Sequence, residues 1–553
     1  MKKVISTLLI LILILSFQLA AKSSTKKIDQ ILNNLFEQDS PGGVALIVKD
    51  GKTIYRKAFG MANLELAVKM TPDFIFRVGS VTKQFTAAAI IQLAEQGKLD
   101  LTAEINQYLK DYPTQGQKIT IENLLTHTSG IKNYTSTKEW TPHKKKQDLN
   151  SSELIDFFKD QEMTMAPGER EEYSNSNYVL LGRIIEVVSG KSYEDYLQEH
   201  IFKPLKMTKT SYDSPKRIIK NRAYGYAKLG NIYENADYIS MTQPFASGAI
   251  VSTVDDLAKW QQGLFSYKVI NKESLTKASE PFVLNNGSTA GYGYNWGFNG
   301  FNIQGEPMIS YNGAIDGFSA STKYIPSKKI FVVILSNIKE NYPKINMASD
   351  RLAAIALGKP YEWKAIDLEE ETLLSYEGVY TSEKYGVRHI VFDNNELLFY
   401  QPGGKKLKLY PFEKNRFFFE DPDYLVKTIE INNKESMVNS TKMRSSGRDK
   451  LWNKTDKTVL KFPVIKIKTA ELQKFTGKYE LAPNFYLTLF VENDKLYSQA
   501  TGQSIHKLRA YGNEKFVSET ADIQHIFNYD ENNSIQSVSI RMGKNQYDAK
   551  KIE

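Results

Sequence analysis

Ser80 and Lys83, in Ser80-Val81-Thr82-Lys83, open an apolar run from Val81 to Gln96 that stops at Gly97. The run reads as a helix, and residues three apart on a helix share a face. A serine hydroxyl becomes a nucleophile when a neighbouring base takes its proton, and a desolvated lysine can help do so. The helix N-terminus adds partial positive charge beside the serine. The spacing alone says little, because Ser24/Lys27, Ser129/Lys132, Ser274/Lys277, Ser336/Lys339 and Ser504/Lys507 share it. Solvated surface residues are the plain expectation for those pairs.

Two later segments single out Ser80. Tyr173-Ser174-Asn175 follows Pro167-Gly168-Glu169 and precedes Val179-Leu180-Leu181-Gly182, so a loop could aim a phenol and an amide into a cleft. Tyr233-Glu234-Asn235 matches the same pattern, which makes it weak by itself. The third segment is Tyr311-Asn312-Gly313-Ala314, ahead of Gly317-Phe318 and a strand. This order resembles the serine β-lactamase and penicillin-binding-protein superfamily, in its class C branch with related esterases and D-aminopeptidases. Supporting stretches are Phe76-Arg77-Val78-Gly79, Leu124 to Gly130, Ser247-Gly248-Ala249 and Asp255-Asp256-Leu257. The resemblance spans residues 35 to 355.

The resemblance implies that Ser80 forms an acyl-enzyme, with Lys83 and Tyr173 sharing general-base and general-acid duty. Which of the two is the base stays open. Asn175 would contact Lys83 or a substrate amide. The backbone N–H groups of Ser80 and Ala314 would form an oxyanion hole, with Gly313 allowing close approach of the strand. Tyr311 stands where such enzymes usually carry Lys or His, and Asn312 where Thr or Ser is common. A neutral phenol offers a substrate carboxylate only a hydrogen bond. An ester, amide or D-amino-acid-peptide hydrolase is therefore expected. The alternatives are a D,D-carboxypeptidase or β-lactamase, and a non-catalytic ligand-binding or sensor protein. No metal or organic cofactor is implied.

Elements that would position these groups are visible. Val44 to Val48, Asp50-Gly51 and Thr53 to Tyr55 form a hairpin signature. Helical stretches cover Leu154 to Asp160 and Asn177 to Ser189, and a strand pair covers Ser319 to Tyr324 and Ile330 to Leu335. Strands at both ends with helices between predict one α/β (α+β) unit over residues 25–362, its antiparallel sheet completed late. His127 reads as structural, Trp260 and Trp296 as core, and Lys144-Lys145-Lys146 as a solvated loop in the polar insert from Lys132 to Asn150.

The tail is duplicated. Gly378-Val379-Tyr380, Leu397, Leu409 and Phe417 recur 99 residues later as Gly477-Lys478-Tyr479, Leu496, Leu508 and Phe516. Asp393-Asn394-Asn395 and Glu492-Asn493-Asp494 fall at matching hairpin tips. Two antiparallel β domains, 368–460 and 465–553, are expected, with a link from Trp452 to Ile467. They resemble lipocalin-like barrel modules. Their expected role is packing, with a separate ligand as the alternative.

Composition bounds the rest. The chain has 553 residues, 41% hydrophobic and 24% charged, with a net charge of +9. That excess is modest for the length and argues against a dedicated nucleic-acid binder. Cysteine is absent, which excludes disulfides, thiolate metal sites and cysteine nucleophiles. The six histidines form no H-E-x-x-H motif, and no G-x-S-x-G elbow occurs. Lys2 and Lys3, the apolar run Leu8 to Leu15 and Ala20-Ala21 read as a signal peptide over residues 1–21. Export to the periplasm or medium is expected, with a small-molecule or peptide substrate, cell-wall fragments among the candidates, and no membrane span after cleavage. An uncleaved anchor is the alternative.

Overall fold

Val44 to Ile47 and Ile330 to Leu335 are unbroken apolar runs, the pattern of strands covered on both faces. They lie inside a five-stranded antiparallel sheet of β1 (Gly43–Lys49), β2 (Lys52–Phe59), β3 (Ile309–Ile315), β4 (Phe318–Ile325) and β5 (Ile330–Ser336). Its order is β3-β4-β5-β1-β2, and it closes where β5 pairs with β1 from Gly43↔Ser336 to Lys49↔Ile330. Alternate residues of β5 serve opposite cores. Phe331, Val333 and Leu335 face one that includes α1 (Thr82–Glu95), α2 (Asn175–Ser189) and α3 (Val254–Phe265). Ile330, Val332 and Ile334 face the other, against α4 (Tyr342–Leu357) and a helix over residues 23–35. The β1–β2 turn places Asp50 at φ 50° and Gly51 at 73°, as the Asp-Gly pair predicts.

The computed structural model describes residues 23–553, except 215, 230–231, 292, 295, 297–300, 421–425, 435–436 and 446–447. The expected signal segment lies outside the described residues. Among those residues, no helix is long and apolar enough to cross a membrane. The chain forms two units, one reaching residue 361 without 229–232, the other holding residues 362–553.

The second unit is two closed eight-stranded barrels, from Gly378–Ser382 to Arg448–Lys454 and from Gly477–Ala482 to Asn545–Lys551. Closure removes free sheet edges from such small domains. The repeated Gly-x-Tyr has one local task in both. Tyr380 donates its hydroxyl to the Tyr376 carbonyl at 2.6 Å, and Tyr479 to that of Phe475 at 3.0 Å. The hairpin tips also match, with Asn394, Asn395, Asn493 and Asp494 all at φ between 47° and 60°. The expected link from Trp452 is corrected: Trp452 lies on the last strand of the first barrel and is buried in its core. The polar residues after it, Asn453 and Lys454, still pair within that strand, with Thr381 and Tyr380.

The segment leading into Ser80 is fixed by a buried acid. Asp213, with a fully covered side chain, accepts from Arg77 Nε at 2.8 Å and from Arg222 Nη2 at 2.7 Å. Removing one side of such a cluster strands the other charges in a poorly solvated place. Asp213→Ala is expected to cost the hydrolase unit about 3 kcal/mol, seen as an earlier urea transition in near-UV circular dichroism. An unmoved midpoint would show that the clamp is dispensable.

Candidate active site

α1 is buried on nearly every side, from Thr82 to Ile91, so its one lysine enters the protein interior with it. Lys83 is 0% exposed. Its Nζ donates to Asn175 Oδ1 at 2.8 Å and to the Ser247 carbonyl at 2.7 Å, and lies 3.3 Å from Ser80 Oγ. None of these partners is charged. Burial therefore pushes the amine well below its ordinary pKa. The rings of Tyr173 and Tyr178 lie 4.9 and 5.5 Å from Nζ. Cation–π attraction of about 2 kcal/mol falls short of the several kcal/mol an unpaired buried ammonium costs. Burial therefore favours the neutral amine, and in that form its two N–H bonds serve Asn175 and Ser247 while its lone pair faces the Ser80 hydroxyl.

Lys323 is the useful contrast. It is equally buried, but its Nζ stands 3.3 Å from Asp350 Oδ1, a carboxylate that opposes the effect of burial. One buried lysine has a counter-charge and the other has none.

Ser80 sits in a 3₁₀ turn, Gly79–Val81, just ahead of α1. Tyr173, 42% exposed, places its hydroxyl 2.8 Å from Ser80 Oγ and donates to Asn175 Oδ1 at 3.4 Å. The residues after it are held by residues 127–135. Ser174 N donates to His127 Nδ1, Asn175 N to Asn133 Oδ1, and Asn175 Nδ2 to Thr135 Oγ1. The His127 ring packs 4.6 Å from that of Tyr173, and burial lowers its pKa to about 3. His127 thus supports Tyr173 as a neutral ring. Glu172 binds Arg170 at 2.9 Å.

β3 presses on the serine turn. A Cβ at Gly313 would lie 2.0 Å from the Val78 carbonyl oxygen and 3.0 Å from Ser80 N. One at Gly79, where φ is 52°, would lie 3.0 Å from Ala314 N. Only glycines allow this approach, which brings the Ser80 and Ala314 backbone nitrogens around one small space.

The structure thus gathers Ser80, Lys83, Tyr173, Asn175, Gly313 and Ala314. Tyr311, 7% exposed, is buried in the core on the Gly313 face of β3. Asn312 is a correction. It alternates to the other face, where its Nδ2 donates to Asn346 Oδ1 of α4 at 3.0 Å, so strand periodicity takes it away from Ser80. The solvated reading of Lys145 is also corrected. Its amine lies 3.3 Å from Asp316 in the β3–β4 turn and 5.5 Å from the Trp140 ring. Trp260 and Trp296 are buried, as core residues. Sequence reasoning missed Asn133, Thr135 and the Ser247 carbonyl. The first two lay in a segment read as a polar insert, and a carbonyl leaves no residue-type signal.

The sequence profile described as Beta-lactamase matches residues 25–357, and one described as a domain of unknown function matches 462–553. Penicillin-binding protein 4* of Bacillus subtilis (strain 168) is 29% identical over 424 residues, 72% of this chain and 92% of that protein. The octameric penicillin-binding protein homologue from Pyrococcus abyssi is 26% identical, with a TM-score of 0.52 over 78% of this chain and 99% of its own. D-amino acid amidase from Ochrobactrum anthropi SV3, at 23% identity and TM-score 0.53 over 61% of this chain and 99% of its own, shares the fold.

A neutral Lys83 sets a pH dependence. The acylation rate is expected to rise with pH through an ionisation well below 10.5 and then level off, because only the unprotonated amine accepts the serine proton. Single-turnover kinetics with an activated ester measure it. A rate that rises only near pH 10 would mean that Lys83 is charged at neutral pH.

Proposed function

The chain belongs to the beta-lactamase family of serine hydrolases, and from that premise we propose an exported enzyme that acylates Ser80 with esters, amides or D-amino-acid peptides. The observation that carries this reading is a buried lysine with no counter-charge, 3.3 Å from Ser80 Oγ. In the proposed cycle Lys83 takes the Ser80 proton as Oγ bonds to the carbonyl carbon. Tyr173, 2.8 Å from that oxygen, passes a proton to the leaving group as its bond to carbon breaks. The Ser80 and Ala314 N–H groups hold the developing oxyanion, each donor contributing about 3 kcal/mol. Water then enters along the reverse proton route and releases the acid. Asn175 Oδ1 fixes Lys83 Nζ and accepts from the Tyr173 hydroxyl, positioning both without itself carrying a proton.

Substrate preference follows from charge. Tyr311 brings a neutral, nearly covered phenol where a cation would suit a carboxylate. Lys145 and Lys339, at 3.3 and 2.8 Å from Asp316, are both committed to it. A charge-assisted contact exceeds a neutral one by about 1–2 kcal/mol. β-Lactams and D-Ala-D-Ala termini both carry a carboxylate, so both are the weaker candidates here. A penicillin-binding role like that in the names of the curated relatives is the second reading. Export rests on the Lys2-Lys3, Leu8 to Leu15 and Ala20-Ala21 pattern. A secreted chain whose N-terminal sequence begins at Lys22 would agree with it.

Residues 22–553 are expected to hydrolyse a short p-nitrophenyl ester, and Ser80→Ala to abolish turnover. The kcat/KM for D-phenylalanine amide, which carries no carboxylate, is expected to exceed that for benzylpenicillin. Turnover surviving in Ser80→Ala would displace the nucleophile, and the reverse substrate order would favour the penicillin-binding reading.

A further inference from the structure

The tail duplication supplies an internal reference, because each inward position of one barrel has a counterpart in the other. In the first barrel Phe399 pairs with Leu407, Phe417 with Ile429 and Thr441 with Trp452. In the second, Ser498 pairs with His506, Phe516 with His525 and Val538 with Ala549. Phe399, Leu407, Ile429 and Trp452 are all buried in the first core, the Phe399 and Trp452 rings 6.2 Å apart. Their counterparts are Ser498, His506, His525 and Ala549. Four large apolar groups have become small or polar ones, while the strand pairing is retained.

The consequence is a cavity of about 470 Å³ in the second barrel, lined by Leu487, Ser498, His506, Ile523, His525 and Ile540 among others. Tyr547, half exposed, also lines it and marks where it meets solvent. His525 is 1% exposed, and its Nδ1 has no hydrogen-bond partner. Interiors are normally close-packed and buried polar atoms paired, so hollowing and an unpaired ring nitrogen together call for an occupant. The volume falls within the range of about 300–1,000 Å³ for small-molecule sites.

We propose that the second barrel binds an uncharged small molecule with a mostly apolar body and one hydrogen-bond donor, received by His525. No lysine, arginine, aspartate or glutamate lines the cavity. His506 Nδ1 is already engaged with Thr520 Oγ1 at 3.0 Å, whereas the buried His525 Nδ1 has no partner and is the polar anchor. Burial keeps both rings neutral, with the pKa of His525 at about 3. A fixed anion or cation would therefore find no counter-charge there.

The test is a fluorescence titration of the full chain with N-phenyl-1-naphthylamine, an uncharged two-ring molecule with one N–H. Saturable binding of one probe per chain is expected, unchanged in Ser80→Ala. Ser498→Phe, which restores the residue of the first barrel, should weaken it at least about tenfold by filling space. His525→Leu keeps apolar bulk and removes the acceptor, and should weaken it about tenfold. Circular dichroism reports folding, and if Ser498→Phe fails to fold, His525→Leu decides. Absence of saturable binding overturns the proposal. So does a titration that neither substitution in the barrel moves, or one abolished by Ser80→Ala. Since no turnover is needed, failure here is separable from failure of the hydrolase reading.

Discussion

The hydrolase unit depends on one expensive placement, an amine buried without a counter-charge. Lys83 is carried inside by α1, which is buried continuously from Thr82 to Ile91. A charged amine there would cost several kcal/mol, so burial shifts the balance toward the neutral form. The acceptors Asn175 Oδ1 and the Ser247 carbonyl then fix the direction of the remaining lone pair. The same burial that would be a defect in a structural lysine lowers the pKa of this one, which is what the proposed proton transfer from Ser80 requires. Lys323, paired with Asp350, shows the structural solution to the same problem.

A second constraint is backbone proximity. β3 approaches the serine turn so closely that side chains at Gly79 and Gly313 would strike the opposing main chain. The sheet thus borders the site, and its β3 edge brings the Ala314 backbone nitrogen beside the serine turn. Arg77 and Arg222 on Asp213 hold the strand entering that turn, and residues 127–135 hold the loop that carries Tyr173. Each functional side chain is supported by groups that touch no substrate.

The duplicated tail shows a different use of redundancy. Both barrels keep the tyrosine that ties the first strand to the turn before it and the asparagine-rich hairpin tip, so the scaffold is conserved between copies. Inside, they diverge. The first is filled around Trp452, while the second places Ala549 there and leaves space beside His525. The barrels are clipped together by Arg509 on Asp393 at 3.0 Å and by Gly403 N on Asp522 at 2.9 Å.

By itself the sequence determined the ordered motif set, the α/β class of the hydrolase unit and the duplication. Local patterns carry these: alternation and turn residues for strands, a 99-residue repeat, and Ser80-x-x-Lys83 ahead of a helix. It also read Tyr311 as neutral where a cation is usual, because charge is a property of residue type. What it left open needs three dimensions. Whether Lys83 is neutral depends on a cavity built from α1, α2 and the Ser247 carbonyl. Asn312 faces α4 because strand register, set by β4 and β5, decides which way each residue turns. Lys145 reads as solvated until Asp316, 171 residues away, is brought beside it. Only the closed barrels show which of their repeated positions point inward, and so which residues line the cavity of the second.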